Sequence, residues 1–455
     1  MRGLYLRSWR YSSETDRLVE EASEREHWST EQWQLWRENR LAYVLHRAAT
    51  QVPYYREQWA QRRRCGDTRS WEDLQHWPIL EKEPLRQYPK AFVAEDCDPR
   101  RMFHEHTSGT TGKSLDLWWS QTTVREFYAL YEARFRGWHG VSRHDRWAIL
   151  GGQLVVPVSR RRPPFWVWNV ALNQLYMSSY HLAPDLIPYY LDALSRYRAR
   201  YILGYPSALY ALAQTILETK RRDVRMVAIL TNAEPLFPYQ REVIAEAFQC
   251  SVGDSYGMAE GIVHASECPN GVMHLWPELG VLEVLTGHQI ICHSGSGDLL
   301  GTSLLNADMP LIRYHIGDSG VLPDKETNCE CGRSLPSLTS VEGRTDDVLY
   351  TMDGRRVGRL DPVFKSQLPI REAQIIQETL SQVRIRYVPT PDFTEDAARS
   401  MVHRLQDRMG SVEVVLEQVS EVPRGANGKF RTVVCALSAQ ERAKMKMSGD
   451  HTSAS

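Results

Sequence analysis

The stretch Thr107-Ser108-Gly109-Thr110-Thr111-Gly112-Lys113-Ser114 sets six small hydroxylated or glycine residues in a row ahead of a lysine. No packed core asks for such a run, so the chain must form a loop here. Glycines let backbone N–H groups converge on one concavity, while hydroxyls and an ammonium add donors suited to phosphate oxygens. The loop therefore reads as one that wraps an anion. It is not a Walker A loop, because that pattern needs a glycine where Thr107 stands. A surface turn is the plain alternative, and the residues downstream decide between the two.

Around this loop the chain is organised as a layered protein. Residues up to about Tyr88 form a helical lead, with Trp33, Trp36, Leu41, Val44 and Leu45 at helical spacing and with Pro53 and Pro78 as punctuation. The loop is followed by a short strand, Leu115 to Trp119, and an amphipathic helix from Thr123 to about Trp138. Apolar runs at Trp147 to Leu150, Tyr201 to Leu203 and Val227 to Leu230 then alternate with helical segments at Leu186 to Arg198 and Ala208 to Lys220. That alternation predicts an α/β domain with largely parallel strands. After Asp254 short strands and turns take over, including His288 to His293 and Met309 to Tyr314. Asp396 to Met409 predicts a helix and Ser411 to Leu416 a strand after it.

Bulk properties exclude several classes. A chain of 455 residues suits a large domain plus a smaller one, and 42% hydrophobic with 24% charged residues is ordinary for a globular protein. A formal net charge of −1 gives no electrostatic case for a nucleic-acid or membrane-surface partner. The runs Arg62-Arg63-Arg64 and Arg160-Arg161-Arg162 read as solvated surface. The most apolar stretch, Pro164 to Leu175, is short and broken by Asn169 and Asn173; with no leader pattern over Met1 to Glu20, the expectation is a cytoplasmic protein.

Five further segments follow the hydroxyl loop in order: Thr231-Asn232-Ala233-Glu234-Pro235-Leu236, Asp254-Ser255-Tyr256-Gly257-Met258-Ala259-Glu260, Tyr314-His315-Ile316-Gly317-Asp318, Gly343-Arg344-Thr345-Asp346-Asp347 and Pro423-Arg424-Gly425-Ala426-Asn427-Gly428-Lys429. Together they resemble the adenylate-forming superfamily of acyl-CoA synthetases, nonribosomal-peptide adenylation domains and luciferases. Gly204-Tyr205-Pro206-Ser207 before a helix, the cysteine pattern and the lead containing Val52-Pro53-Tyr54-Tyr55 are similar to the phenylacetate-CoA ligase branch and its CapK proteins. The resemblance implies a large multi-layer α/β N-terminal domain over 1–345, a small mobile α+β C-terminal domain over 346–440, and a disordered tail over 441–455.

It also implies a chemistry. A carboxylate has oxide for a leaving group and must be converted to an acyl-adenylate by attack on the α-phosphate of ATP, with loss of pyrophosphate. By resemblance, Thr107, Ser108, Gly109, Thr110, Thr111, Gly112 and Lys113 cradle the β- and γ-phosphates. Ala233 and Glu234 line the adenine, with Asp254, Tyr256 and Gly257 in the stacking segment beside it. Glu260 binds Mg²⁺, Asp318 accepts from the ribose hydroxyls with Arg344 close by, and Lys429 stabilises charge in the transition state. Tyr205, Ser207 and Met258 are candidate walls of the acid pocket. Two departures stand out: Ser114-Leu115 replaces the proline many relatives carry, and His315-Ile316 replaces an arginine-threonine pair. The contact made by that pair is lost here or supplied by Arg313.

Eight cysteines need no disulfides in such a setting. Cys268, Cys329 and Cys331, with His274, make a set of three thiolates and one imidazole suited to a closed, structural Zn²⁺ site, although Cys-x-Cys is tighter than a standard finger. Proteins of the resembled branch carry a similar pattern. Free thiols on loops are the alternative. For function, three readings stand: an acyl-CoA ligase using coenzyme A; an adenylase that passes the acyl group to an amine or hydroxyl in polysaccharide or secondary-metabolite assembly; and a non-catalytic nucleotide-binding scaffold. A homodimer is a further expectation.

Overall fold

The computed structural model describes residues 2–106, 115–152, 155–157, 160–183, 185–286, 291–324, 329–344, 349–352, 356–357, 360–364, 368–424, 430–438 and 441. The chain divides into two compact units. The first comprises Met1–Leu236, Gln240–Ile316 and Gly320–Ser340; the second comprises Val341–Ser455 with Phe237–Tyr239 and Gly317–Ser319.

The first unit opens on the expected helices: α1 (Arg2–Arg10), α2 (Thr15–Arg25), α3 (Thr30–Gln51), α4 (Pro53–Arg64) and α5 (Lys82–Gln87). Helix α3 starts where it does because Ser29 and Gln32 form a reciprocal capping box, and it stops at Val52 because Pro53 follows. Pro53 then serves as the first residue of α4, where its missing N–H costs nothing. Strands β1 (Phe103–His106) and β2 (Asp116–Trp119) pair antiparallel, His106 opposite Asp116, so the hydroxyl loop joins the two arms of a hairpin. Thr107 to Ser114 themselves lie outside the described residues. Helix α6 (Gln121–Tyr131) is capped by the Ser120 hydroxyl accepting from the Thr123 N–H and runs on through a wider turn, Glu132–Arg136, and a tighter one, Gly137–His139.

Six strands follow: β3 (Trp147–Gly151), β4 (Trp166–Asn169), β5 (Gln174–Ser178), β6 (Tyr201–Gly204), β7 (Ala228–Thr231) and β8 (Ser251–Gly253). Their order is β4-β5-β3-β6-β7-β8. All pairs are parallel except the edge pair β4–β5. Helices α7 (Ile187–Tyr197), α8 (Pro206–Thr219) and α9 (Pro238–Phe248) make the crossovers. Strands β6 and β7 are buried at every residue, the continuous apolar pattern of a sheet covered on both faces.

Past this sheet, β9 (Ser255–Gly257), β10 (His264–Glu267) and β11 (Met273–Leu275) form an antiparallel ribbon. Strands β12 (Gly280–Leu285), β13 (Ile291–Cys292), β14 (Gly295–Ser303) and β15 (Tyr314–Leu322) follow, arranged β13-β12-β14-β15. Of the strands and turns expected around Met309 to Tyr314, the stretch before Tyr314 is irregular, with bends at Met309, Ile312 and Arg313, and β15 begins at Tyr314. The Asn306 amide accepts from the Met309 N–H, and the Ser303 hydroxyl accepts from the Leu311 N–H, so side chains take up the backbone groups a ladder needs.

Strand β16 (Ser340–Arg344) leads into the second unit. There a short ribbon of β17 (Leu349–Tyr350) and β18 (Arg356–Val357) precedes β19 (Ile370–Gln377), β20 (Gln382–Pro389), helix α10 (Glu395–Met409), β21 (Glu413–Gln418) and β22 (Val433–Cys435). The sheet order is β21-β20-β19-β22, with α10 packing Met401 and Leu405 onto Ile375, Val383 and Ile385. The buried Gln377 amide closes a clip on Tyr350, accepting from its N–H at 2.8 Å and donating to its carbonyl at 2.6 Å.

Charge is buried deep in the first unit. Arg134 is fully buried and grips Glu278 through Nη1 at 2.6 Å and Nη2 at 2.8 Å, while Arg25 of α2 donates to the same carboxylate at 2.8 Å. Removing one partner leaves the other charge without compensation in a dry interior. Glu278→Ala is expected to destabilise the first unit by about 3–5 kcal/mol; urea unfolding followed by tryptophan emission reads this, and a midpoint equal to wild type would contradict it.

Candidate functional site

The parallel register sets the carboxyl ends of five strands side by side. Gly151 pairs with Ser178, Gly204 with Thr231, and Leu230 with Gly253, so the rim is built of small residues. Open α/β sheets bind ligands outside such a rim, where neighbouring strands lead away in opposite directions; β3, with β5 on one side and β6 on the other, is that point here.

Three of the expected segments leave from this rim. The buried Thr231 hydroxyl donates to Asp254 Oδ1 at 2.6 Å, and the Ser255 hydroxyl donates to the Thr231 carbonyl at 2.9 Å, tying the end of β7 to the Asp254–Gly257 segment. Ala233 sits at φ +65°, a conformation costing a non-glycine residue about 1 kcal/mol and concentrated at functional sites. Glu234 is buried and accepts from the Ser207 N–H at 3.1 Å, joining that segment to the N-terminus of α8, where a carboxylate is favoured. Tyr205, just before α8, has its phenol pushed up to about 12 by burial, with the nearby Glu234 charge adding to it.

The Asp254 backbone N–H donates to Glu267 Oε2 at 3.0 Å, and the same oxygen pairs with Arg241 at 2.7 Å. Burial pushes the Asp254 carboxyl up to about 6, opposed by the Thr231 hydroxyl bond and aided by the Glu267 charge. Tyr256 and Gly257 lie on β9, with Gly257 opposite His264 of β10. A Cβ at Gly257 would stand 2.3 Å from His264 Nδ1, so only glycine lets the backbone lie against the imidazole. His264 is itself boxed by Phe127, Tyr131, Phe135 and Trp276, the last at 4.1 Å between ring centroids, and burial lowers it to about 3. A permanently neutral imidazole behind the Tyr-Gly turn was not read from the sequence; a lone histidine carries no signal of its neighbours. Met258 is partly buried in the turn after β9.

Glu260 accepts from the Tyr314 hydroxyl at 3.0 Å, and the Tyr314 side chain is fully buried, which fixes the carboxylate that is the candidate Mg²⁺ ligand. Asp318 lies on β15 after Gly317, whose φ of +85° only glycine adopts readily inside a strand. Arg344 ends β16. Lys429 and Thr345 to Asp347 lie outside the described residues. Arg313 does not substitute for the missing arginine. Its guanidinium holds Glu283 at 2.6 and 3.0 Å and donates to the carbonyls of Gln75 and Trp77, so it is spent inside the protein. His315 instead is held charged more readily by Asp298 and Glu81, which raise its pKa against the effect of burial.

A second constellation forms away from the rim. The β10–β11 hairpin presents Cys268 and His274, and a turn with Gly332 at φ +75° presents Cys329 and Cys331. Their ligand atoms all lie within 4.8 Å of one another. Zinc bonds of about 2.3 Å to sulfur and about 2.0 Å to nitrogen at tetrahedral angles put ligand atoms about 3.5–3.8 Å apart. Cys268 Sγ and Cys329 Sγ are 3.7 Å apart, and Cys331 Sγ is 3.4 Å from His274 Nε2. His274 Nδ1 donates to the Leu335 carbonyl at 3.0 Å, which leaves Nε2 unprotonated toward the thiols, as a metal ligand requires. Burial lowers the His274 pKa, keeping the imidazole neutral. The four residues fit a closed structural metal site.

The comparisons agree with this architecture. The CapK C-terminal domain family matches residues 349–436. Protein CapK of Staphylococcus aureus is 25% identical over 368 residues, covering 80% of each chain. The phenylacetate-coenzyme A ligase of Thermus thermophilus is 24% identical over 445 residues, covering 87% of this chain and 93% of the ligase. Among solved structures, 2-hydroxyisobutyryl-CoA ligase in the postadenylation state, in complex with R3-HIB-AMP, has a TM-score of 0.69 at 20% identity over 93% of both chains. The fold is that of the adenylate-forming ligases. The chain is a homologue of CapK and of the phenylacetate-CoA ligases.

The raised Asp254 pKa has a defined consequence. The folded state holds a proton between the ordinary carboxylate value of 3.8 and about 6, so raising pH through that window disfavours folding. The melting temperature of wild type relative to Asp254→Asn, whose amide does not titrate, is expected to fall from about pH 4 to about pH 7 and to be flat above. A difference independent of pH would remove the buried protonated carboxyl.

Proposed function

We propose that this protein activates a carboxylic acid as its acyl-adenylate at the carboxyl rim of the parallel sheet, releasing pyrophosphate, and passes the acyl group to the thiol of coenzyme A. The observation that supports it best is the meeting of Thr231–Glu234 and Asp254–Gly257 at one rim, cross-linked by the Thr231–Asp254 and Ser255–Thr231 bonds, in a homologue of phenylacetate-CoA ligases. No helix among the described residues is long and apolar enough to cross a membrane.

Chemistry divides among the residues as follows. The hydroxyl loop supplies donors to the phosphates, and Lys113 adds charge. Ala233, Glu234 and Tyr256 hold the base; Asp318 and Arg344 serve the ribose. Glu260, oriented by Tyr314, holds Mg²⁺, which offsets phosphate charge when bound with ATP. Tyr205, Ser207 and Met258 face the acid. Lys429 offsets the charge that builds as the carboxylate oxygen closes on the α-phosphorus. Cys268, His274, Cys329 and Cys331 hold a structural Zn²⁺ that pins the β10–β11 hairpin to the loop after β15. A second reading, with an amine or hydroxyl acceptor in polysaccharide assembly, is supported by the CapK C-terminal domain match over 349–436.

Carboxylate-dependent ATP–pyrophosphate exchange across aromatic, fatty, hydroxy and amino acids, without coenzyme A, tests the first half-reaction; exchange with one class is expected, and silence across all classes with ATP bound would sink it. Lys429→Ala is expected to slow exchange by about 10²–10³-fold while ATP still binds; unchanged exchange would take Lys429 out of the reaction. Elemental analysis should find one zinc per chain, lost in Cys331→Ser together with thermal stability. A zinc-free wild-type protein that takes up no metal would end that part of the proposal.

A further inference from the structure

The connector between α2 and α3, Glu26 to Ser29, makes contacts concentrated on the loop that carries two of the thiols. Glu26 is 4% exposed, yet its carboxylate accepts from Arg333 Nε at 2.7 Å and from the Trp138 indole N–H at 3.0 and 3.1 Å. Its carbonyl accepts from the Ser334 N–H at 2.8 Å and the Ser334 hydroxyl at 3.0 Å. His27 Nδ1 bonds the Gly332 carbonyl at 3.1 Å. The Arg333 guanidinium lies 4.5 Å over the Trp138 ring, and that ring meets His274 edge-on at 5.9 Å. Trp28, Trp33 and Trp36 then pack with Cys268, Cys329, Cys331 and Leu335 in one apolar cluster.

Two physical facts make this more than packing. A loop reading Cys329-Glu330-Cys331-Gly332-Arg333-Ser334 has almost no apolar side chain with which to hold its own shape, so its order depends on what its thiols bind. The buried Glu26 carboxylate is costly unless cations stay beside it, and two do: Arg333, whose side chain is 19% exposed, and the buried Arg134, with Nε 3.6 Å from Glu26 Oε1. The further course of α3 is anchored elsewhere: Arg40 donates to the Leu304 carbonyl at 2.8 Å, and Arg47 pairs with Asp308 at 2.8 Å. Among the described residues of the lead, the connector and the first turns of α3 supply the contacts to the thiol loop cited above.

We infer that the Cys/His centre is the dock for this connector, with Glu26 and Arg333 as its positioning residues, so that metal occupancy and docking of residues 26–36 form a single linked equilibrium. The inference rests on the metal reading above. Linkage is reciprocal: whatever binds only the docked form stabilises docking, and docking tightens binding of the metal by the same factor. The tryptophan cluster also covers part of the thiol set, with Cys268 buried and Cys329 and Cys331 half-buried. Arg25 and Arg37 flank the connector and give trypsin a cleavage site on each side of it.

The full-length zinc-loaded chain is treated with a chelator and followed by tryptophan emission and limited trypsinolysis. Stripping should shift emission to the red and open cleavage after Arg25 and Arg37, while cleavage beyond Arg40 stays as in the loaded protein. Glu26→Gln should release zinc to a chromophoric chelator about 10–100-fold faster and shift the thiolate charge-transfer band of the cobalt-substituted protein. Arg333→Lys gives the same readings if Glu26→Gln does not fold. A tryptic pattern unchanged by stripping, or wild-type release rates in both variants, overturns the coupling. A chain that binds neither zinc nor cobalt overturns the metal reading and this inference with it.

Discussion

Five parallel strands cannot be joined by hairpins, and the rest of the first unit follows from that constraint. Each return from β5 to β6, β6 to β7 and β7 to β8 needs a crossover, which α7, α8 and α9 supply. Crossovers of one kind carry every strand's carboxyl end to the same edge. There Gly151 pairs with Ser178 and Gly204 with Thr231, Gly253 ends β8 opposite Leu230, and the segments leaving this edge carry Ala233, Glu234, Asp254 and Tyr256. The candidate chemistry is thus concentrated by topology, before any side chain makes a contact.

Buried ion pairs then fix how the surrounding layers sit. Arg134 with Glu278, Arg313 with Glu283, and Arg136 with Glu132 each place a guanidinium against a carboxylate with little or no exposure. Such pairs contribute little net stability, because desolvation offsets their attraction, but an arrangement that separates them is strongly disfavoured. Arg25 joins the first of these pairs from α2, and Arg313 also donates to the Gln75 and Trp77 carbonyls, so the helical lead is registered against the strands by directional bonds. Arg313 is therefore a structural residue in a place where sequence comparison suggests a ligand contact.

The metal-type cluster works on the same scale by different means. A hairpin and a loop some sixty residues apart in sequence, Cys268 and Cys329, meet at 3.7 Å. They are also joined by backbone bonds, Leu275 N–H to the Pro336 carbonyl and Leu338 N–H to the Met273 carbonyl. The hairpin begins at β10, whose Glu267 receives the Asp254 N–H, so the cluster stands one strand behind the Asp254–Gly257 segment.

The sequence by itself determined the layered α/β class, the helical lead, the crossovers α7 and α8, and which four residues could serve as metal-type ligands. These are written in local periodicity, capping residues and the rarity of cysteine, which need no partner to be read. It also marked the segments at the rim, because glycine, threonine and acidic residues in fixed order are unusual in any core. What the tertiary structure alone decided is which side chains face each other: Tyr314 on Glu260, Thr231 on Asp254, His264 against Gly257, Glu283 around Arg313 and Glu26 on the thiol loop. Those contacts join residues separated by tens to hundreds of positions, and their energies depend on burial and angle. A periodic pattern fixes which face of an element is apolar, but only the packed arrangement fixes which polar atom meets which.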